Sequence, residues 1–414
     1  MTEREGGLPP WRFYRPRAGH PDWAKLQAEA VSMATALRPS FEPPLRGWRE
    51  SRRRGHAYAT TARNYVLNRK LLRAGRGDLR PLYFIWNVLR TCNFRCTYCD
   101  DHQGHRYPDL PNDGALDTAG ALRLLRVMRT RTPSVYFSGG EPTLRKDLPL
   151  LTRAARDLDY FPIIINTNGS VLDRLLALPD WHTWPADIDI VVVSLDALDL
   201  DRLRSMWGTS HPERVVRNLL LLRELAEPFR IKLMVNTVIQ PGHIADAAEV
   251  LDLANDLGLW FCPVPVNHGP SMDTSLRADC AYAALIERIL ERKRRGCRVT
   301  GSLRLVERLL RGAPLECFNT LKPHVDHDGC LFWPCKACVN VRPERLDVLV
   351  FDDVDALYEA ARRRIDPTGF HGEGPSQCGA HCNWAQNYTT DAYADGLRHP
   401  WHLLADVAEF VRAH

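Results

Sequence analysis

The sequence predicts an α/β fold whose centre is an open, TIM-like partial (β/α)6 barrel. From residue 81 onward, short apolar runs rich in β-branched residues alternate with amphipathic segments. This alternation is typical of βαβ units and of a mainly parallel sheet. Six such runs are too few for a closed eight-stranded barrel, so we expect an open one, with the reactive groups at the carboxyl ends of its strands.

The elements are predicted in chain order from the period of their apolar residues. The six predicted strands are 82–88, 134–137, 162–166, 188–194, 231–239 and 260–266. Helices are predicted at 22–37, 57–73, 118–130, 171–178, 212–225, 244–257, 278–295, 302–311 and 401–413, and one further strand at 346–351. We expect three parts: a basic, Pro- and Arg-rich, partly helical N-terminal extension (1–80), the barrel (81–300) and a Cys-rich C-terminal domain with a closing helix (301–414).

Composition places the chain among ordinary globular proteins. Its 414 residues are 45% hydrophobic and 25% charged, which excludes disordered and fibrous classes and suggests two to three domains. No run approaches the ~18 apolar residues of a membrane-spanning helix. The first ten residues lack the basic-then-apolar pattern of a secretory signal. We therefore expect a cytoplasmic protein.

Basic residues are concentrated near the start of the chain. Residues 1–90 hold 18 Lys and Arg against 7 Asp and Glu, a net charge of +11 in a chain whose total is +5. Arg52, Arg53 and Arg54 form the densest run. Such a segment can contact nucleic acid, an anionic membrane or an acidic peptide, or it can be a solvated helix face. We favour the solvated face and expect no nucleic-acid partner.

Nine of the 12 cysteines fall into three clusters, which in a reducing compartment indicates metal or redox chemistry rather than disulfides. The first cluster, Cys92, Cys96 and Cys99, directly follows the first predicted strand with the spacing Cys-x₃-Cys-x₂-Cys. Three thiolates would leave one iron of a [4Fe–4S] cube open to a substrate. The alternative is a zinc knuckle completed by His102 or His105.

Four motifs at predicted strand ends resemble those of the radical S-adenosylmethionine (radical SAM) superfamily. They follow strands one to four in order, and the resemblance extends over residues 81–270. The motifs are the loop Cys92–Cys99 with its aromatic Tyr98, then Ser138-Gly139-Gly140-Glu141-Pro142, then Asn166-Thr167-Asn168-Gly169, and last Ser194-Leu195-Asp196.

The resemblance implies that Cys92, Cys96 and Cys99 are the catalytic cluster ligands. It also implies a cofactor-binding set for S-adenosylmethionine: Tyr98, Gly139, Gly140, Glu141, Asn168, Ser194 and Asp196. Glycines let backbone approach a ligand closely, and a carboxylate such as that of Glu141 can accept from an ammonium group. The residues alone also allow simpler interpretations: a turn before a helix that Pro142 opens, a turn at Asn168-Gly169, and a Ser-x-Asp helix cap.

The chemistry that the resemblance implies is reductive cleavage of S-adenosylmethionine at a [4Fe–4S] cluster. The products are methionine and a 5′-deoxyadenosyl radical, which abstracts a substrate hydrogen. A reducing partner of the flavodoxin or ferredoxin type is implied as the source of the electron.

The remaining clustered cysteines lie beyond residue 314. The run Asp326–Cys335 resembles the hairpin of the SPASM and twitch extensions of the same superfamily, which carry auxiliary iron–sulfur clusters. The resemblance implies one auxiliary [4Fe–4S] cluster on Cys317, Cys335, Cys378 and Cys382, with Cys330 and Cys338 as rival ligands. A structural zinc site that uses Cys335 and Cys338 is the alternative.

The leading interpretation is a radical SAM oxidoreductase, transferase or lyase that acts on a small biosynthetic metabolite, such as a sugar, polyol, nucleoside or lipid precursor. Maturation of a ribosomally synthesised peptide is the alternative within the superfamily, and residues 1–80 lack a winged-helix pattern for peptide recognition. A non-catalytic zinc- or nucleic-acid-binding protein is the alternative from another class.

Overall fold

The computed structural model describes residues 11–99, 109–338, 341–371, 378 and 382–412. Six parallel strands pair in chain order and form an open partial barrel, which confirms the predicted fold class. Each strand lies within two residues of its predicted position. These strands are β1 (Tyr83–Asn87), β2 (Ser134–Ser138), β3 (Ile163–Thr167), β4 (Ile190–Ser194), β5 (Lys232–Ile239) and β6 (Trp260–Pro265).

The C-terminal region extends the same sheet. The strands that extend it are β9 (His324–Val325), β10 (Cys330–Trp333) and β11 (Glu344–Asp347), and the chain also has the short strands β7 (Asn267–His268) and β8 (Ser271–Met272). Strand β9 pairs in parallel with β1, placing His324 opposite Ile85, and β10 and β11 continue the sheet in antiparallel fashion. Strands β7 and β8 form a separate small hairpin. The cysteine-rich region is therefore joined to the first barrel strand by backbone hydrogen bonds.

Helices connect the strands and flank the sheet. They are α1 (Trp23–Leu37), α2 (Trp48–Arg73), α3 (Thr118–Arg129), α4 (Leu148–Asp157), α5 (Leu172–Leu175), α6 (Trp184–Asp187), α7 (Leu200–Trp207), α8 (Pro212–Phe229), α9 (Ile244–Asp256), α10 (Thr274–Ala278), α11 (Cys280–Arg294), α12 (Leu303–Leu310), α13 (Val354–Arg364), α14 (Tyr388–Arg398) and α15 (Pro400–Arg412). Among the described residues, no helix is both long and apolar enough to cross a bilayer.

Three predicted boundaries were wrong. Helix α2 begins nine residues before its predicted start, directly after Gly47, whose positive φ of 63° sets a turn. The helix predicted at 171–178 is reduced to α5, because Pro179 opens a separate short 3₁₀ turn. The strand predicted at 346–351 ends at Asp347, whose side chain accepts from the Leu349 amide and caps a 3₁₀ turn.

The N-terminal segment packs on the barrel. Helix α1 lies along α8, and its residues Trp23, Leu26 and Ala30 are buried in the main core. The Asp22 side chain caps α1 by accepting from the Lys25 amide.

The arginine run of α2 is a solvated face only in part, because Arg52 is exposed and Arg54 is half-buried whereas Arg53 is not exposed. Arg53 is buried, and its guanidinium donates to the carboxylates of Glu50 and Asp189. Arg54 donates to the same Glu50. A buried guanidinium needs paired carboxylates, and these bonds fix α2 against the start of β4.

The two faces of the barrel sheet differ in character. The outer face belongs to the main core, whereas Val192, Met234 and Trp260 form a small apolar cluster on the inner face. Towards the carboxyl ends of the strands the inner face becomes polar. Strand pairing and alternation place five uncharged polar side chains there, namely Asn87, Ser138, Asn166, Ser194 and Asn236. We call these five residues the inner polar ring.

Candidate functional site

The first cysteine loop leaves the carboxyl end of β1 and docks on the end of α7. Arg95 donates its amide to the Trp207 carbonyl at 2.8 Å, and Thr97 donates to the Met206 carbonyl at 3.0 Å. The Phe94 ring stacks on Trp207 with the ring centres 5.5 Å apart. Cys92, Cys96 and Cys99 are thereby held half-buried at the mouth of the barrel.

Burial and neighbouring sulfurs both affect the pKa values of the thiols in this loop. Burial raises the pKa of Cys92 to about 11. Burial also raises the pKa of Cys96, and the neighbouring sulfurs of Cys99 and Cys92 raise it further. Thiols in such a setting become thiolates by binding a cation, since ligation replaces the lost hydration.

The spacing of the sulfurs discriminates between a single ion and a cube. Among the described residues, no three cysteine sulfurs all lie within 4.8 Å of one another. A tetrahedral zinc with Zn–S bonds of ~2.3 Å would bring its sulfurs to ~3.8 Å. The wider arrangement of soft donors fits a cube, whose ligands bind separate iron atoms. His102 and His105, the proposed zinc-knuckle ligands, lie outside the described residues.

The glycine motif after β2 packs against the start of the cysteine loop. The Gly140 and Glu141 amides donate to the Leu89 and Thr91 carbonyls at 2.8 and 2.9 Å. A Cβ atom would lie 2.3 Å from the Leu89 oxygen at Gly139, and 2.2 Å from the Thr91 oxygen at Gly140. The glycines are therefore required for contact between two backbone segments, and these two amides face protein rather than a ligand.

The Glu141 carboxylate also has a different environment from the one expected. It is buried and accepts from the Thr143 amide at 3.0 Å, the Thr167 hydroxyl at 2.6 Å and the Asn168 amide at 2.6 Å. Burial raises the pKa of Glu141 above its usual value. In this structure the carboxylate links the ends of β2 and β3, and its role as acceptor from an ammonium group remains a prediction.

Asn168 is the motif residue that reaches the cysteine loop. Its side-chain amide donates to the Asn93 Oδ1 at 2.9 Å and lies 4.0 Å from the Cys92 sulfur. The Asn93 amide in turn donates to the Ser170 hydroxyl at 2.8 Å. This network links the loop after β3 to the first cysteine.

Asp196 is buried and holds three donors. It accepts from the Tyr98 hydroxyl at 2.5 Å, the Trp207 indole at 2.7 Å and the Val238 amide at 2.8 Å. The helix-cap interpretation was wrong, because Asp199 caps α7 instead. Burial raises the pKa of Tyr98 well above its usual value, so the hydroxyl remains a donor. Asp196 anchors the cysteine loop, whereas Ser194 remains on the inner polar ring.

The C-terminal cysteines line a cavity. Cys317, Cys335, Cys378 and Cys382 lie around it together with Cys338. Burial raises the pKa of Cys317, and the nearby sulfurs of Cys335, Cys382 and Cys378 raise it further. No three of these sulfurs lie within 4.8 Å of one another in the described part of the chain.

Cys330 lies apart from this group, and its role as a rival ligand remains a prediction. It lies on β10 but does not line the cavity; its amide donates to the Asp328 carboxylate at 3.0 Å. The Cys338 thiol donates to the Cys335 carbonyl at 3.0 Å, so Cys338 is the one surplus cysteine that adjoins the site.

Two residues of this site are not among the site residues predicted from the sequence. Asn387 donates toward the Cys317 and Cys382 sulfurs, each at 3.8 Å. Lys322 is fully buried and donates to the Gln386 carbonyl at 2.6 Å, with its ammonium 4.9 Å from the Trp384 ring centre. Burial lowers the pKa of Lys322 to about 7, whereas the sulfurs of Cys335 and Cys317 favour its charged form. Each of the two residues lies five positions after a cysteine of the site, Asn387 after Cys382 and Lys322 after Cys317, and this spacing was a signal that the sequence offered.

The two cysteine sites are connected through the sheet. Arg90, two residues before Cys92, donates to the Asp326 carboxylate at 2.5 Å. Asp326 follows β9, which pairs with β1, and also accepts from Arg345 at 3.1 Å. On the inner side of β9, the His324 ring stacks on Trp384 with the centres 5.3 Å apart.

The structure combines an open parallel barrel, three half-buried thiols after its first strand and a second thiol-lined cavity. This combination indicates the class of iron–sulfur barrel proteins. Residues 86–254 match the model of the Radical SAM superfamily. Residues 86–254 therefore carry a radical SAM domain.

Sequence relatives cover part of the chain. It is 30% identical over 182 residues to the Fe-coproporphyrin III synthase of Methanosarcina barkeri, covering 43% of this chain and 42% of that protein. It is 33% identical over 164 residues to a GTP 3′,8-cyclase of Stenotrophomonas maltophilia, covering 39% of this chain and 47% of that protein. The chain thus spans less than half the length of these relatives.

Solved structures share the fold. Streptococcus suis SuiB superposes with a TM-score of 0.52 at 20% identity, covering 72% of this chain and 69% of SuiB. Native anSMEcpe with bound AdoMet superposes with a TM-score of 0.51 at 16% identity, covering 79% of this chain and 99% of that one. At these identities the likeness concerns the fold.

Proposed function

We propose that this chain cleaves S-adenosylmethionine reductively at a [4Fe–4S] cluster held by Cys92, Cys96 and Cys99. The observation that carries the proposal is the loop itself: three half-buried thiols at the carboxyl end of β1, within the segment that matches the Radical SAM model. The cluster and S-adenosylmethionine would together supply a 5′-deoxyadenosyl radical, which abstracts hydrogen from the substrate.

The surrounding residues position this loop. Tyr98 and Trp207 are tied to the single buried carboxylate of Asp196, which fixes the second half of the loop. Asn168 places an amide donor beside the Cys92 sulfur. Donors to cluster sulfurs stabilise the reduced, more negative form, because they offset its added charge.

We propose a small, hydroxyl- or amide-bearing metabolite as the substrate. The inner polar ring supports this, since it offers uncharged donors and acceptors directly below the cysteine loop. The Asn166 side-chain oxygen is buried and has no hydrogen-bond partner among the described residues, and a buried acceptor of this kind favours a ligand donor. The names of both sequence relatives also refer to small molecules. Sugars, polyols, nucleosides and lipid precursors fit this chemistry.

We further propose that Cys317, Cys335, Cys378 and Cys382 hold an auxiliary [4Fe–4S] cluster. The thiol-lined cavity supports the assignment, with Cys338 as a neighbour that can replace one ligand. The His324–Trp384 stack lies between the inner side of β9 and the cysteines beside Trp384. Substrate oxidation by electron transfer to this cluster would be compatible with that arrangement.

The test is anaerobic turnover of the reconstituted protein with dithionite and S-adenosylmethionine, with 5′-deoxyadenosine measured by mass spectrometry. We expect formation by the native protein and by a Cys280→Ala control, an exposed cysteine outside both sites. We expect none from the Cys96→Ala variant. Equal yields from native protein and Cys96→Ala, or a reconstituted protein that forms no 5′-deoxyadenosine, would contradict the proposal.

A further inference from the structure

The outward face of α2 carries an unusual combination of side chains. This 26-residue helix, about 39 Å long, exposes three large apolar or aromatic residues. Trp48 is 68% exposed, Tyr58 59% and Val66 55%. Large exposed apolar side chains on one element mark interaction sites when they lie on a common face.

The apolar residues of this face form a stripe along the helix. Counting at about 100° per residue, Trp48, Gly55, Ala59 and Val66 fall within about 40° of one another, and Tyr58 lies about 80° to one side. The opposite side of the helix is buried against the rest of the protein, through Arg53, Ala57, Thr60, Asn64, Asn68 and Leu71. The stripe therefore faces away from the body of the protein.

Positive charge lies along one side of the stripe and, at Arg73, within its C-terminal end. The exposed basic residues of α2 are Arg49, Arg52, Arg63, Lys70 and Arg73. In the described part of the chain only Arg52 of these five forms an ion pair, with Asp159. The one acidic residue of α2, Glu50, is occupied by Arg53 and Arg54. The face is thus apolar and cationic, with no acidic side chain of the helix to neutralise it.

The helix also lies at the end of the barrel opposite the cysteine loop. Asn64 donates to the carbonyls of Pro81 and Arg131, which precede β1 and β2. Arg53 donates to the carbonyl of Tyr160, which precedes β3. A partner that covers α2 would leave the mouth of the barrel open.

We propose that α2 docks this protein on an anionic lipid bilayer. Trp and Tyr favour the headgroup region, and Lys and Arg beside an apolar stripe add attraction to acidic lipids. Nucleic acid is a poorer match, because affinity for a phosphate backbone depends on charge and gives no role to the exposed Trp48 and Val66. The inference is independent of the proposed function, since it uses no residue of either cysteine site.

The test is co-sedimentation of the full-length protein with vesicles of phosphatidylcholine alone or mixed with phosphatidylglycerol. We expect binding only to the mixed vesicles, weakening as salt rises. Arg63→Glu with Lys70→Glu should lower the partition coefficient more than about tenfold, because each basic residue contributes to attraction at the surface. Trp48→Ala should weaken binding to mixed vesicles at every salt concentration.

The matched control is Arg126→Glu with Lys146→Glu, an equal charge change at exposed basic residues that form no ion pair in the described chain. We expect this control to bind within about threefold of the native protein, as does Arg63→Lys with Lys70→Arg. The proposal would be overturned if the native protein bound equally well to vesicles with and without phosphatidylglycerol. It would also be overturned if both charge-reversal variants lost the same amount of vesicle binding. Tight binding to duplex DNA with no binding to vesicles would overturn it as well.

Discussion

The hydroxyl of Tyr98 lies 2.5 Å from Oδ2 of Asp196, and the indole of Trp207 donates to the same oxygen at 2.7 Å. Tyr98 belongs to the loop after β1, whereas Asp196 follows β4. One buried carboxylate therefore joins strand ends that are three positions apart in the sheet. The second oxygen of Asp196, Oδ1, accepts from the Val238 amide, which holds the carboxylate in place.

Replacing Asp196 by Ala should loosen the cysteine loop. The change leaves the Tyr98 hydroxyl, the Trp207 indole and the Val238 amide without their acceptor, at a cost of about 3 kcal/mol or more in free energy of unfolding. We expect a lower melting temperature and loss of the iron bound to the first cysteine loop. Asp199→Ala, which removes only the α7 cap, should cost about 1 kcal/mol and keep the iron. Equal iron loss in both variants would disprove the anchoring role.

Gly140→Ala should displace the start of the cysteine loop. The new Cβ would lie 2.2 Å from the Thr91 oxygen and 2.3 Å from the Arg90 oxygen, so backbone must move. Iron should fall from about eight per chain towards four, the content of one cube. Gly55→Ala meets no atom within 4 Å and lies inside α2, so it should keep full iron and gain about 1 kcal/mol. Normal iron content in Gly140→Ala would show that the contact is dispensable.

Cys335 and Cys330 are five residues apart but are expected to behave differently. Cys335→Ala should lower the iron content by up to about four per chain, because Cys335 lines the C-terminal cavity. Cys330→Ala should leave it unchanged, because Cys330 lies outside that cavity. Iron analysis after anaerobic reconstitution measures both. Iron loss in Cys330→Ala alone would reverse the ligand assignment.

Lys322→Met should lower the reduction potential of the auxiliary cluster. A buried ammonium near the cysteine sulfurs stabilises the reduced, more negative state, and its removal should shift the potential by roughly tens of millivolts. Anaerobic potentiometry followed by electron paramagnetic resonance measures the shift. Lys322→Arg keeps the charge and should remain near the native potential. If both variants shift equally, packing rather than charge is responsible.

Much of the barrel could be predicted because strand runs and strand-end motifs are local in sequence. The six strands and the position of the cysteine loop depend on periodicity and spacing alone. Long-range partners have no such signal: Asp196 has the pattern of a cap, yet the three groups that donate to it are 98, 11 and 42 residues away in sequence. The buried ion pair of Arg53 with Asp189, 136 residues away, could not be predicted for the same reason.

The most direct test of the central claim is electron–nuclear double resonance on the reduced protein with S-adenosylmethionine labelled with nitrogen-15 in its amino group. A cube held by Cys92, Cys96 and Cys99 has one iron without a protein thiolate, so the label should show hyperfine coupling to the cluster spin. The signal should be absent in the Cys96→Ala variant. A native protein whose reduced cluster shows no coupling to the label, or whose first loop holds zinc, would contradict the account.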